Sequence, residues 1–594
     1  MRPTVSCCLY EEVDRNSLIS KARELYESNA RFMSLVCNDK DDHFELIYYF
    51  ERGSDVLGVK TRVRKGEKAQ SITSVYPCAF LAENEVKDMF ELEFTGLSPD
   101  IGGALLRTSE TGTLLKPATG ERPPLFRTPA RCFLTCPANT DIPRYLHQIA
   151  EGKFEEALET NLEVNPLPAV LGRVCFAPCE TACRRAKNGD PLSIRALKRF
   201  AADIVGIYPR NVKRKASTGK RVAVIGAGPA GVAAAYYLGL LGHQVVVFDE
   251  LPRPGGMLLV GIPKYRLPKD VLFAEIEARF KEAGVEFRPN TRIEDLDELF
   301  AQGFHAIFIA TGAHKGSKLG IEGEDHPRVI EVLDLLREVN LYDKRPNLGD
   351  RVIVIGGGNS AMDAARVSLR LGAKEVWVYY RRTRQEMPAS PSEVEDAEAE
   401  GVKFNFLVAP KRIFGNGEGK VKVEFVRMKL GEPDASGRAR PEPIPGSEFI
   451  IEADTIIKAI GQVVPIPSGF RVEVDRRGLV KVDPETLQTS RPGVFAGGDA
   501  VLGPSSAIES IATGRKAASS IDKYLGGDGL PEPKLELEFI WRPIPDEVIP
   551  MKKINPSELP VERRVNNFDE VEQRFDVDDA KREALRCWRC DWYE

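Results

Sequence analysis

Between residues 217 and about 525 the hydrophobic pattern alternates between that of strands and that of helices. Its longest uncharged stretch, Val222 to Phe248, is long enough to span a bilayer. However, it consists of a short β-rich run, a Gly-rich turn, an Ala- and Leu-rich helix and the run Val245-Val-Val-Phe248. This order predicts a buried βαβ unit. A second Gly-rich strand-to-helix turn begins at Gly356, so the region is predicted to hold two dinucleotide-binding units.

The rest of the chain shows other patterns. Residues 1 to about 125 mix helix and strand patterns and end in a Gly-, Thr- and Pro-rich passage over 111–124 that is typical of a linker. Residues 126–216 are mainly helical, with helices expected over Ile142–Ala150 and Lys153–Asn161. From about 526 the chain is Pro-rich and irregular until a charged helical stretch, Val577 to Arg586. The predicted fold class is α/β, preceded by an α-helical domain and an N-terminal α+β domain.

Composition and charge narrow the possible partners. The 594 residues include 83 Lys and Arg against 88 Asp and Glu, which gives a net charge of -5. This balance provides no basic surface for nucleic acid or an anionic membrane. The N-terminus lacks the pattern of a secretory signal, so a cytoplasmic protein is expected, either alone or held by partners at a cytoplasm-facing membrane complex. In that compartment, eleven cysteines indicate metal or redox chemistry.

The first Gly-rich turn carries a dinucleotide-binding fingerprint. Gly226, Gly228 and Gly231 follow a predicted strand and open a helix, and Asp249 ends the next strand. The first glycine permits the tight turn, the second a close approach to a pyrophosphate, and the third close packing of helix on strand. The carboxylate of Asp249 is predicted to accept hydrogen bonds from a ribose. The alternative is a Gly-rich turn in an unrelated α/β domain.

The second fingerprint, Gly356-Gly-Gly358-Asn-Ser-Ala361, differs in the residues that follow it. Its next strand ends in Arg381 and Arg382, where an acidic residue would select NADH. Two guanidinium groups at this position suit a 2'-phosphate, so NADPH is predicted, with NADH as the alternative. These arginines could instead simply cover an exposed strand end.

Nine short motifs occur in an order that resembles one family, the small (β) subunit of NADPH-dependent glutamate synthase and its relatives. They are Gly226 to Gly231, Pro254-Gly-Gly256, Gly261-Ile-Pro263, Ala310-Thr-Gly312, Gly356-Gly-Gly-Asn-Ser360, Tyr380-Arg-Arg382, Met387-Pro388, Ala459-Ile-Gly461 and Ala496-Gly-Gly-Asp499. The resemblance implies an FAD domain interrupted by an NAD(P)H domain, with Asp499 near the FAD ribityl chain and 514–518 beside the isoalloxazine. Hydride transfer to flavin needs no acid–base residue, so no catalytic residue is expected and the six histidines are expected to be structural.

The fingerprints and the resemblance together predict the cofactor-binding residues. They are Gly226, Gly228, Gly231, Asp249, Gly256, Gly312, Gly356, Gly358, Asn359, Ser360, Arg381, Arg382, Gly461, Gly498, Asp499 and Ala507.

Seven cysteines have spacings that suit metal ligands. They are Cys132, Cys136, Cys175, Cys179, Cys183, Cys587 and Cys590. The resemblance implies two [4Fe-4S] clusters, held by a Cys-x2-Cys-x4-Cys-x3-Cys-Pro run and a Cys-x3-Cys-x3-Cys run. The leading Cys-x2-Cys pair is absent before Cys132, whereas a similar pair stands at Cys587 and Cys590.

The displaced pair suggests a hypothesis for the ligand sets. Cys587 and Cys590 would join Cys132 and Cys183 around one cluster. The second cluster would use Cys136, Cys175 and Cys179, and its fourth ligand is open, because Lys198 stands where relatives place Glu or Gln. A single cluster and a structural zinc site are the alternatives.

Residues 72–96 include Tyr76-Pro77, Glu85-Val-Lys-Asp-Met-Phe90 and the residues Phe94 and Gly96. They resemble the 30 kDa subunit of complex I and its counterparts in complex-I-like hydrogenases. The resemblance implies a docking domain that binds no cofactor and packs against a larger redox subunit. An unrelated α+β domain is the alternative.

These inferences predict an NAD(P)H oxidoreductase subunit with FAD and one or two [4Fe-4S] clusters. It would exchange electrons between NADPH and a partner redox subunit of a hydrogenase or complex-I-like assembly, or ferredoxin. A glutamate synthase small subunit and a non-catalytic assembly scaffold are the alternatives. The predicted domains are docking (1–125), iron–sulfur (126–216), the first FAD segment (217–350), NAD(P)H (351–470), the second FAD segment (471–525) and a C-terminal tail (526–594).

Overall fold

The structure is a computed structural model that describes residues 9–53, 55–101, 130–188, 190–415, 419–433, 437–531 and 550–590. It divides into two compact units, 1–127 and 128–594. The predicted linker over 111–124 and the predicted boundary after 125 lie outside the described residues.

The first unit is an α+β domain. Its four-stranded sheet has the order Leu9–Glu12, Asp55–Arg64, His43–Arg52 and Arg31–Asp39. The first two strands pair in parallel and the others antiparallel. The helices Leu18–Glu27 and Phe80–Phe90 lie beside this sheet, and the short strands Ala69–Gln70 and Phe94–Thr95 pair in parallel. The helix Phe80–Phe90 buries the carboxylate of Glu83, which accepts hydrogen bonds from the Ser71 hydroxyl and the Ile72 amide.

The second unit begins with a small helical domain. Its helices are Arg131–Thr135, Ile142–Ala150, Phe154–Leu162, Pro168–Val174, Pro178–Thr181, Arg184–Asn188 and Ile194–Val205. Leu146, Leu171 and Phe200 are fully buried between them. Cys136 and Cys175 directly follow the helices Arg131–Thr135 and Pro168–Val174, whereas Cys132 and Cys179 lie within short helices.

A five-stranded parallel sheet forms the first α/β domain. Its order is Val494–Ala496, Ala306–Ile309, Arg221–Ile225, Gln244–Phe248 and Glu286–Arg288. Helices Pro229–Leu240, Lys269–Ala283 and Ala507–Tyr524 pack together on one face, and Met257–Val260, Leu296–Ala301 and Asp499–Leu502 are shorter. The strand Val494–Ala496 pairs with Ala306–Ile309 although the second α/β domain lies between them in the sequence. The chain therefore leaves this domain and returns to it.

The second α/β domain has its own parallel sheet, in the order Val329–Glu331, Thr455–Lys458, Arg351–Ile355, Glu375–Tyr380 and Lys403–Phe406. Helices Val332–Asn340, Asn359–Arg370 and Pro391–Ala399 cover it, and Arg384–Glu386 is a single 3-10 turn. The strand Val329–Glu331 belongs to this sheet because it pairs with Thr455–Lys458. It nevertheless precedes the domain boundary that was expected at residue 350. An antiparallel sheet of Val408–Phe414, Val421–Pro433, Ala439–Pro443 and Phe449–Ala453 is attached, and Lys315–Gly316 pairs with Gln462–Val463.

Residues 550–590 run along the rest of the second unit. They contain the helices Val561–Arg564 and Val577–Leu585. Arg564 forms ion pairs with Asp396 and Glu400 of the second α/β domain, and Glu570 forms ion pairs with Arg173 and Arg199 of the helical domain. This segment thus connects the two domains. Across the described ranges, every helix is too short or too polar to cross a membrane.

Candidate functional site

One continuous cavity of about 660 Å³ joins the two α/β domains of the second unit. Both Gly-rich turns open into it from the carboxyl ends of their sheets, which is where open α/β sheets bind ligands. Of the predicted cofactor-binding residues, twelve line it. They are Gly226, Gly228, Asp249, Gly256, Gly312, Gly358, Asn359, Ser360, Gly461, Gly498, Asp499 and Ala507.

The glycines of the first turn have the backbone geometry that the expected roles require. Gly226 has φ +103°, and a Cβ atom there would lie 2.3 Å from the Ala310 carbonyl oxygen. A Cβ on Gly231 would lie 1.9 Å from the Gly226 carbonyl oxygen, so this glycine permits the close packing of helix on strand. Gly228, at the N-terminus of the helix, leaves its backbone open to the cavity. A helix N-terminus approached by bare backbone suits a pyrophosphate.

Asp249 lies at the end of the neighbouring strand and is almost fully buried. Its two oxygens accept hydrogen bonds from the amides of Ala227 at 2.6 Å and Leu251 at 2.8 Å. Burial raises the pKa of Asp249 to about 6 in spite of these bonds. A carboxylate has about four lone-pair positions, so it can also accept bonds from ribose hydroxyls in the cavity.

Two buried polar atoms in this cavity have no hydrogen-bond partner within the described part of the chain. They are the hydroxyl oxygen of Thr311 and Nδ1 of His314. Burial lowers the pKa of His314, which favours the neutral imidazole. Because buried polar atoms are almost always paired, these two atoms indicate a polar ligand. No such role was expected for a histidine from the sequence; the position of His314 just after Ala310-Thr-Gly312 was the available signal.

The second Gly-rich turn has a similar geometry. Gly356 has φ +146°, and a Cβ there would lie 2.1 Å from the Ala459 carbonyl oxygen. Gly358 faces the cavity, and Asn359 and Ser360 begin the helix behind it. Asn359 is held in place because its Oδ1 accepts the Ser390 amide at 3.0 Å. The second helix N-terminus is therefore also open to a phosphate.

The two predicted phosphate-binding arginines lie outside the cavity lining. Arg381 is exposed, whereas Arg382 is buried and its Nε donates to the Ala439 carbonyl at 2.8 Å. The structure therefore separates their environments, and their role toward a 2'-phosphate stays a prediction.

Asp499 also lines the cavity and accepts hydrogen bonds from the amide and the hydroxyl of Ser505, at 3.1 and 2.8 Å. Burial raises the pKa of Asp499. Val174 and Phe176 also line the cavity, so the chain on both sides of Cys175 reaches it. Sequence reasoning missed this contact, since nothing in the local pattern of 174–176 shows which domain packs there.

The seven candidate cysteines fall into two spatial groups. Cys132, Cys183, Cys587 and Cys590 line one small, mainly apolar cavity. Burial and the nearby thiols of Cys587, Cys179, Cys183 and Cys590 raise the pKa of Cys132, so Cys179 also lies near this group. Cys179 is buried, and its neighbours are Cys136, Cys175 and the charged Lys198. The first group contains the four cysteines hypothesised for one cluster, and both ligand sets remain a prediction.

The second group has a feature typical of cluster sites. The Ala177 amide donates a hydrogen bond to Sγ of Cys175 at 3.4 Å. Such bonds to ligating sulfur tune iron–sulfur clusters.

No three His, Cys, Asp or Glu side chains in the described ranges come close enough to hold a single metal ion. A tetrahedral zinc site needs all its sulfurs about 2.3 Å from one ion. In a [4Fe-4S] cluster each thiolate binds a different iron, so its ligands stand farther apart.

Comparison with known families covers most of the chain. The profile of the pyridine nucleotide-disulphide oxidoreductase family matches residues 220–518. Residues 126–207 match dihydropyrimidine dehydrogenase domain II, 4Fe-4S cluster. Residues 11–112 match the respiratory-chain NADH dehydrogenase 30 kDa subunit. These matches confirm both resemblances inferred from the sequence.

Three curated relatives extend the comparison. The β subunit of an NADP(+)-dependent formate dehydrogenase from Moorella thermoacetica is 45% identical over 78% of this chain and 70% of its own length. The β subunit of an NADPH-Fe(3+) oxidoreductase from Geobacter sulfurreducens is 41% identical over 78% of this chain and 75% of its length. The small chain of the NADPH glutamate synthase of Escherichia coli is 39% identical over 66% of this chain and 88% of its length. The chain therefore belongs to the pyridine nucleotide-disulphide oxidoreductase family, as a flavin oxidoreductase that uses FAD and NAD(P)H and carries a 4Fe-4S domain.

Proposed function

We propose that this protein is a subunit that exchanges electrons between NADPH and a partner redox protein, by way of FAD and iron–sulfur clusters. The observation that carries the proposal is the single cavity, which extends from both Gly-rich turns to the residues on either side of Cys175. An electron donor and acceptor bound there would meet next to a cysteine of the iron–sulfur domain.

Each region of the cavity has a separate task. The first turn and Asp249 hold the FAD pyrophosphate and ribose, while Thr311 and His314 offer it two further polar contacts. The second turn holds the phosphates of NADPH at the N-terminus of Asn359–Arg370. Bound FAD supplies the exchange between two-electron hydride transfer and single-electron transfer. The residues of this chain position the two cofactors and exclude water, and no acid–base residue is required.

The partner is proposed to be a larger redox subunit of a complex-I-like or hydrogenase-type assembly, or ferredoxin. The N-terminal domain supports a subunit role, because its family occurs in the respiratory-chain NADH dehydrogenase. Relatives named as β subunits of a formate dehydrogenase and of an NADPH-Fe(3+) oxidoreductase support it further and widen the choice of partner. A glutamate synthase small subunit is the second candidate, favoured by the match to the E. coli small chain, which leaves the N-terminal domain unexplained.

Anaerobic purification followed by visible spectroscopy tests the proposal. We expect one FAD per chain, about four to eight irons, and bleaching of the flavin by NADPH at lower concentrations than by NADH. The same preparation is then titrated with ferredoxin and with viologen dyes as acceptors. A protein with bound zinc in place of iron, or one whose flavin is not reduced by either nucleotide, would contradict the proposal.

A further inference from the structure

Residues 577–590 fold back onto the helical domain that holds the other five candidate cysteines. The helix Val577–Leu585 packs against Ile142–Ala150 and Ile194–Val205. Its Ala580 and Ala584 are fully buried in the core shared with these helices. Small residues on the contact face allow the helices to approach closely, so the helix is an integral part of this domain.

Two charged side chains fix the end of this helix. Glu583 is fully buried and accepts the amides of Ser193 at 2.9 Å and Ile554 at 2.8 Å. Arg586 is also fully buried and forms ion pairs with Glu583 at 2.6 Å and Asp190 at 2.5 Å. Removing one partner of such a pair would leave the other charge buried and uncompensated, so the chain direction at residue 586 is strongly determined.

Cys587 and Cys590 come directly after the buried Arg586 in the sequence. Cys587 and Cys590 line the same small cavity as Cys132 and Cys183. Between them, the Trp588 ring lies 5.1 Å from the guanidinium of Arg185, which also donates to the Arg586 carbonyl. The two pairs therefore converge although they are far apart in the sequence.

We propose that Cys132, Cys183, Cys587 and Cys590 are the four ligands of one [4Fe-4S] cluster. This inference deepens the proposed function and rests on it. Four thiolates are the usual ligand set of such a cluster, and the pair at 587 and 590 has the Cys-x2-Cys spacing that is missing before Cys132. Cys136, Cys175 and Cys179 are left for the cluster next to the flavin cavity.

Under this assignment the two clusters follow one another along a path. The group that includes Cys175 adjoins the flavin cavity, whereas the cavity of the four-cysteine group shares no lining residue with the flavin cavity. The segment 577–590 thereby completes the cluster farther from the flavin.

The test compares iron content and spectra of the wild type and four variants, all purified anaerobically as full-length proteins. The first variant is Cys587→Ala/Cys590→Ala, the second Cys132→Ala/Cys183→Ala, and the third combines all four changes. A matched control, Cys37→Ala/Cys78→Ala, removes two thiols from the N-terminal domain. Iron and acid-labile sulfide per chain, electron paramagnetic resonance of the reduced protein, and FAD content are measured for each.

We expect iron to fall from about eight to about four atoms in each double variant, to stay at about four in the fourfold variant, and to remain at about eight in the control. A wild type with about four irons that drops to none in the first variant also supports the ligand set. FAD content and thermal midpoint show whether each variant has folded.

Unchanged iron in the first variant would overturn the proposal. So would a further loss in the fourfold variant, because it would place the two pairs at different clusters. Reduction of the flavin by NADPH is recorded in parallel. Normal flavin reduction with unchanged iron refutes the ligand set alone, whereas absent flavin reduction in the wild type refutes the proposed function.

Discussion

We expect Gly514→Ala to lower the stability of the protein, although a change from glycine to alanine usually stabilises a helix. Gly514 lies within the helix Ala507–Tyr524, where alanine is normally better than glycine by about 1 kcal/mol. Here the helix packs against Pro229–Leu240, and a Cβ at position 514 would lie 2.2 Å from the Ala230 carbonyl oxygen and 3.0 Å from the Ala233 Cβ. The obstacle is the backbone carbonyl of Ala230, which, unlike a flexible side chain, cannot rotate away. We therefore expect destabilisation.

The magnitude follows from the size of the overlap. An ordinary contact between carbon and oxygen is longer by about 1 Å, so the two helices must separate by about that distance. Overpacking of a core costs about 1–3 kcal/mol, and a rigid backbone obstacle argues for the upper end, about 3 kcal/mol. After the propensity gain, the net loss is about 2 kcal/mol. For a domain of this size that corresponds to a fall of about 4–8 °C in the unfolding midpoint.

The assay follows thermal release of FAD fluorescence from the purified holoprotein. Ser520→Ala on the same helix is the control, because it introduces the same side chain at a position only half buried and should change the midpoint by about 1 °C or less. A Gly514→Ala midpoint equal to or above that of the wild type would refute the packing geometry.

Three other predictions concern single side chains. Because burial raises the pKa of Glu275 to about 7, the folded protein keeps this proton to higher pH than the unfolded chain. As the pH rises from about 4.5 to about 7, the wild type should therefore lose about 3 kcal/mol of its free energy of unfolding. Denaturant unfolding at pH 5 and pH 8 should show this loss in the wild type but not in Glu275→Gln. Arg381→Ala should raise KM for NADPH about tenfold without changing KM for NADH. Equal effects of this variant on both nucleotides would contradict a contact with the 2'-phosphate. Arg382→Ala should instead mainly lower the thermal midpoint. Thr311→Val should weaken FAD binding about fivefold by flavin titration while leaving the apoprotein as stable as before.

Local sequence patterns were sufficient to predict many regular elements. The helix Ile142–Ala150 has its predicted bounds, and the strands Arg221–Ile225 and Glu375–Tyr380 lie where the two fingerprints require a strand. The two Gly-rich turns were recognisable because a tight turn, a close backbone approach and tight packing each require glycine at a defined position. Most of the cofactor cavity could therefore be predicted from short motifs.

The remaining features depend on contacts between distant residues. The sequence shows two arginines side by side, but only the fold buries Arg382 against the Ala439 carbonyl and leaves Arg381 exposed. Likewise, the strand Val329–Glu331 has no local signal that assigns it to the second sheet, because its partner Thr455–Lys458 lies far along the chain. His314 was missed because its importance comes from the cavity around it.

The contact between Arg185 and the Arg586 carbonyl has a consequence for biosynthesis. The two residues are 401 positions apart, so at 5–20 residues per second the ribosome needs about 20–80 s to make the second after the first. Under the proposed ligand set, Cys132 and Cys183 wait during this interval with half of their cluster site missing. Iron insertion at this site is then a late event that follows translation of residue 590. A chain interrupted between residues 531 and 587 would contain both segments of the first α/β domain but would lack two ligands of this cluster.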